Sequence, residues 1–177
     1  MCYNIYCRMI RVIGIDPGLQ VAGYGIIEVA ANRLIAVAGG TIKPTAKDLP
    51  TRLLEIHDGL LAVLKEYSPQ VASVEDLYTT YAHPKTAVLM GHARGTAIYT
   101  LAEANIQVYN YTPTEVKSAV TGYGRASKEQ MQLMVTKLLG LAEKPKYDHI
   151  SDAFGMAICH INRERTKELT QSRSFRR

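Results

Sequence analysis

The hydrophobic period of this chain changes at Asp48, and that change limits the folds it can adopt. Before it, the apolar residues fall in three short runs with brief spacers: "RVIGID" (11–16), "AGYGIIEV" (22–29) and "RLIAVAGGTIK" (33–43). Such runs read as neighbouring antiparallel strands joined by hairpins. From Asp48 the period becomes helical. Leu53, Leu54, Leu60, Leu61 and Leu64 share one stripe that Pro69 closes. A short buried run, "VASVE" (71–75), follows, then a small-residue helix over 87–104 and another strand, "IQVYNY" (106–111).

Capping boxes then open helices at Thr112 with Glu115 and at Ser127 with Gln130. A last helix is expected from about Asp148 towards Ile161. The order is β-β-β-α-β-α-β-α-α. It predicts an α/β fold with a mixed five-stranded sheet and helices on both faces. The helix before "VASVE" is a crossover, so that strand can lie parallel to "RVIGID".

Two of these strands end in an acid, Asp16 and Glu75. A carboxylate closing a buried apolar strand costs desolvation unless something stabilises its charge. Taken singly, each acid could simply cap a turn, and Asp-Pro-Gly is a good turn signal. As parallel neighbours, however, they would share the carboxyl edge of the sheet, where open α/β folds build their sites. A third cluster, "YDHISDAFG" (147–155), supplies Asp148, His149 and Asp152 at helical spacing. Oxygen ligands from two strand ends and one helix start suit Mg²⁺ or Mn²⁺ better than zinc. A pair of such ions is the usual remedy for crowded carboxylates and suits in-line phosphoryl displacement.

Other chemistries find little support. The chain has no P-loop, no dinucleotide fingerprint after a strand and no nucleophile elbow. Cys2, Cys7 and Cys159 lack zinc spacing and read as reduced thiols. No apolar run approaches a membrane span and the opening residues do not resemble a signal peptide, so a cytoplasmic protein is expected. Lys plus Arg (21) exceed Asp plus Glu (16), giving a net charge of +5 that permits a polyanionic partner. Part of the excess lies at the end of the chain. The expected division is an N-terminal extension (1–8), a single folded domain (9–162) and a flexible basic tail (163–177).

Five blocks in order, "VIGIDPGLQVAGYGIIE", "VEDLY", "GHARGTAI", "TPTEVKSAVTGYGRASKEQM" and "DHISDAFGMAICH", resemble the RuvC-type Holliday junction resolvases. The resemblance runs from about Arg11 to His160. It implies an RNase H-like fold and a homodimeric, Mg²⁺-dependent endonuclease, with two ions per site. Such an enzyme nicks two strands of a four-way DNA junction symmetrically and works beside the RuvA–RuvB motor.

The acidic site carries over as Asp16, Glu75 and Asp152. At the family's fourth position, where many members have Asp, this chain has His149. The reading places His149 in the metal site, turned towards Asp152, with Asp148 as the helix N-cap. Tyr78 matches an aromatic position associated with the junction crossover, while Tyr81 could equally cover a core edge. Lys85 lies on the same loop, and Lys117, Arg125 and Lys128 match or flank basic family positions expected to contact phosphates. Two other readings stay open on the residues alone. One is an actin-like ATPase or sugar kinase, although Leu19 and Gln20 stand where its phosphate loop needs Ser or Thr. The other is a junction-binding protein that does not cut.

Overall fold

The computed structural model describes residues 10–31, 33–76 and 84–174. The expected extension, Tyr78 and Tyr81 lie outside them. Five strands form one mixed sheet in the order β3-β2-β1-β4-β5. They are β1 (Ile10–Asp16), β2 (Ala22–Ala30), β3 (Arg33–Ile42), β4 (Val71–Glu75) and β5 (Gln107–Tyr111). The first three form an antiparallel meander, and β4 adds parallel to β1 with Ile15 beside Val74. The β5 strand continues the sheet, parallel to β4.

The helices are α1 (Leu49–Tyr67), α2 (Pro84–Glu103), α3 (Pro113–Thr121), α4 (Lys128–Leu138) and α5 (Asp148–Ser174). Three helices follow β5: one opens at each capping box and α5 comes last, so the three expected helix starts all form, while the expected order, with two, was one short. Thr112 accepts from the Glu115 backbone while the Glu115 carboxylate takes the Thr112 N–H, and Ser127 and Gln130 repeat the pattern. At α1, Asp48 is the N-cap and accepts from Thr51 N at 3.0 Å. The sheet-facing stripe of α1 is Ile56, Leu60, Val63 and Leu64. Leu54, expected on that stripe, is 57% exposed: it lies roughly half a turn from Ile56 and Val63, on the outward side of α1 beside α2.

Period-two alternation divides the sheet residues between two cores. Ile13 and Ile15 of β1 and Ala72 and Val74 of β4 pack with α1 and α2. Val12 packs on the opposite side, with α3, α4 and α5. Gly14 and Asp16 share the parity of Val12, and Ser73 and Glu75 have the opposite parity to Ala72 and Val74. Both strand-end acids therefore emerge on the α5 side.

The α5 helix lies almost directly on the backbone. A Cβ added to Gly14 would stand 1.9 Å from the Ala153 carbonyl oxygen, and one on Gly23 would stand 2.2 Å from that of His149. The bare strands let the first turns of α5 sit against the ends of β1 and β2.

The helix also continues to Ser174, through the segment expected as a flexible tail. Local bonds hold the extension: Lys167 pairs with Glu164, and the hydroxyls of Thr166 and Thr170 donate to the carbonyls of Asn162 and Thr166. Arg163 also reaches back to Glu115 of α3. Among the described residues, no helix is long and apolar enough to cross a membrane.

Candidate active site

The parity of β1 and β4 and the close seat of α5 bring three acids to one cavity of about 230 Å³. Asp16, Glu75 and Asp152 line it together with Pro113, Val116, Lys117, Lys128, Met131 and Met156. The sequence expectation that these acids converge is met. Apolar walls from α3, α4 and α5 restrict hydration of the charges.

All three acids hold their protons more tightly than usual. Burial raises Glu75 to about 7, with Asp16 and Asp152 adding repulsion. Burial likewise raises Asp152 to about 6, assisted by Asp16 and opposed chiefly by Lys128. Asp16 is raised by burial, against a hydrogen bond and attraction from His149. Carboxylates crowded in this way favour a partner of concentrated positive charge.

His149 reaches this centre from the first turn of α5, with Nδ1 2.6 Å from Asp16 Oδ2. An ionised carboxylate can only accept, so this bond places the proton on Nδ1 and leaves Nε2 with a lone pair when the ring is neutral. The contact is to Asp16, whereas the sequence spacing had turned His149 towards Asp152.

Asp148 departs further from expectation. It is the first residue of α5, and side chains of α4 engage its carboxylate: Lys128 Nζ at 2.9 Å and Gln132 Nε2 at 2.5 Å. The reason is the location of α4, whose first turn runs beside the start of α5 and offers a cation and an amide. Lys128 thus stands between Asp148 and Asp152, 3.9 Å from the latter. Among the described residues, no three of these side chains close into a ready-made ligand shell. The donor set still fits Mg²⁺ or Mn²⁺: oxygen-rich, with one imidazole, and destabilised by its own charge.

The other basic residues separate. Lys117 and Lys128 line the cavity. Arg125 is exposed between α3 and α4, and Lys85 is exposed in the first turn of α2; neither lines the cavity. Arg94 of α2 was missed by the sequence reading. It donates from Nε to the Glu75 carbonyl at 2.8 Å and from Nη2 to Asp76 at 3.1 Å and Asn110 at 2.7 Å. It fixes the strand end from which Glu75 projects. Its signal was an arginine amid small residues in "GHARGTAI".

Comparison with known proteins agrees with this arrangement. Residues 12–160 match the family described as "Crossover junction endodeoxyribonuclease RuvC". Proteins of that name from Burkholderia mallei and Burkholderia vietnamiensis are 47% and 45% identical over 152 residues, covering 86% of this chain and 83% of each relative. Thermus thermophilus RuvC superposes with a TM-score of 0.80 at 33% identity, covering 89% of this chain and 97% of that one. The same protein solved with a Holliday junction substrate gives 0.83 at 34%, covering 90% and 97%. The yeast mitochondrial resolvase Ydc2, at 16% identity and a TM-score of 0.67, shares the fold. With an RNase H-like sheet, its acids converging at the carboxyl edge and this extent of identity, the chain belongs to the RuvC family of crossover junction endodeoxyribonucleases.

Proposed function

We propose that this protein resolves four-way DNA junctions by hydrolysing one phosphodiester in each of two strands of like polarity, as a homodimer requiring Mg²⁺. The observation that carries the reading is the convergence of Asp16, Glu75 and Asp152 beside Lys117 and Lys128, in a chain 47% identical to named crossover junction endodeoxyribonucleases. The actin-like ATPase reading falls away with the family assignment.

Asp16, Glu75, Asp152 and His149 would hold the metal. When bound, divalent ions lower the pKa of an attacking water and neutralise charge on the leaving oxygen. The chain's own residues do the rest. Lys117 and Lys128 bind the phosphates that flank the scissile bond, with Lys128 steadied by Asp148. The apolar walls exclude bulk water, which strengthens each of these electrostatic contacts. His149, through the nitrogen left free by its bond to Asp16, either completes the ligand set or carries a proton at the reacting oxygens. Tyr78 would stack on an unpaired base at the crossover.

Two sites acting on one junction need two copies. The outer face of α2 supports this, with Val88 and Tyr99 each 62% exposed and Leu54 of α1 beside Tyr99. Gly95, on the same face, leaves open space where a second helix could approach. The cytoplasm is the natural setting for this activity, and RuvA–RuvB the motor that would deliver junctions to it.

The test is a labelled four-way junction incubated with the protein and Mg²⁺ beside a linear duplex of equal length. Paired nicks at symmetric positions, confined to the junction and lost in Asp16→Asn, are expected. Equal cutting of the linear duplex, or tight junction binding with no nicking, would overturn the reading.

A further inference from the structure

Lys43, Lys146 and Tyr147 form a cluster on the flank of the site opposite Lys117. Lys43 Nζ lies 4.1 Å from the centre of the Tyr147 ring, and Lys146 Nζ lies 5.6 Å from it. All three residues are exposed. The pairing joins elements distant in sequence: Lys43 directly follows β3, whereas Lys146 and Tyr147 directly precede α5.

The register of the sheet gives the cluster its address. Thr41 of β3 pairs with Gly23 of β2, and Gly23 pairs with Asp16 of β1. Lys43 therefore leaves the sheet at the same edge as Asp16, two strands away, a lateral distance of roughly 10 Å. Tyr147 stands two residues before His149, whose backbone rests over Gly23. Acids and cluster share one edge, about three steps of axial rise along a DNA strand apart.

Carboxylates cover only part of the basic surface, and this cluster, like Lys117 in the cavity, belongs to the part they leave uncovered among the described residues. Arg11, Arg94, Lys128, Arg163 and Lys167 all pair with carboxylates. Among the described residues, Lys43 and Lys146 have no such partner, and both stand against the Tyr147 side chain. A π-face holds an ammonium in place without neutralising it, so both charges remain available to an anion.

We infer that Lys43 and Lys146, held by Tyr147, form a phosphate-binding site for the DNA backbone running from the scissile bond over β3. The ligand is a pair of backbone phosphates in a duplex arm of the junction. Contacts of this kind carry no base preference and set the register of the arm over the acids. The inference rests on the proposed junction activity for its setting, and the experiment separates the two.

The experiment compares wild type, Lys43→Ala/Lys146→Ala and Tyr147→Ala for binding to a fluorescent four-way junction and a linear duplex in EDTA, over a range of salt. Each phosphate contact contributes about 0.9 to the slope of log K against log salt, so the double variant should lose about 1.8. Affinity should fall about tenfold or more near 100 mM salt, on both DNAs, with the melting temperature unchanged. Tyr147→Ala should fall between wild type and the double variant, and Tyr147→Phe, which keeps the ring and loses the hydroxyl, should stay closer to wild type than Tyr147→Ala does. An unchanged slope with affinity within twofold, or a loss of affinity that tracks a fall in melting temperature, overturns the inference. Wild type that shows no preference for the junction counts against the proposed function alone, because the change in slope remains readable on the linear duplex.

Discussion

Replacing Glu75 by Gln should abolish cleavage and yet stabilise the metal-free protein. Glu75 emerges from β4 into a site already holding Asp16 and Asp152, and burial with that repulsion raises its pKa from 4.5 to about 7. The folded state therefore binds a proton more tightly than the unfolded chain does. Between those values the native protein holds more protons, so this group's contribution to stability falls as pH rises. Above pH 7 the ionised acid costs up to about 3 kcal/mol, at 1.36 kcal/mol per pKa unit. Partial access of water reduces this to about 2 kcal/mol. Gln has the shape of the protonated acid and removes that cost. Thermal or urea unfolding in EDTA at pH 8 should show the variant more stable by about 2 kcal/mol, some 4–8 °C in melting temperature for a chain of this size. At pH 5, where wild-type Glu75 is largely protonated, the gain should shrink below about 1 kcal/mol. Adding Mg²⁺ should narrow or reverse the difference at pH 8, because only the wild type keeps the full ligand set. A variant that is less stable than wild type in EDTA at pH 8, or whose gain is the same at both pH values, refutes the account of strain at the site.

His149→Ala should lose cleavage at little cost in stability, while Asp148→Ala should still cut and lose less than about 1 kcal/mol, as expected for an exposed pair with Lys128. Exchange of those outcomes between the two variants would make Asp148 the ligand. Deep burial pulls His160 down to about 4, where its Nδ1 meets the Tyr111 hydroxyl at 2.8 Å. The unfolded chain then binds the extra proton between about pH 6.5 and 4, so this contribution is lost as pH falls through that window. The stability advantage of wild type over His160→Gln should drop by about 2 kcal/mol between pH 7.5 and pH 5; a pH-independent difference rules this out.

Much of the site was legible because period-two parity is strict. Once "RVIGID" and "VASVE" were parallel strands, terminal acids at matching parity had to share a face and an edge. The antiparallel meander and the parallel placement of "VASVE" beside "RVIGID" followed from spacer lengths and the crossover rule, whereas the place of β5 at the far edge did not. The features that sequence hid are those set by packing between elements. Asp148 had the composition and position of a cap, but proximity to α4 gave it Lys128 and Gln132 instead. Leu54 kept helical spacing with Leu61, yet the direction in which α1 meets the sheet is decided by Ile56 and Val63. The extension of α5 was obscured because its residues are polar all round, so no apolar stripe announced it. Arg94 could not be assigned a partner until β4, β5 and α2 were assembled.

The bare backbone of Gly14 and Gly23 beneath α5 acts as a spacer of zero thickness. Asp16 and His149 belong to segments far apart in the chain, and their separation is a tolerance set where neither of them lies. A single methyl at Gly14 would lift the helix and open the gap between the acids, leaving every catalytic side chain chemically intact. Substitutions there would imitate the loss of a ligand in an activity screen. The reach of the site's geometry thus extends to two positions that have no side chain at all.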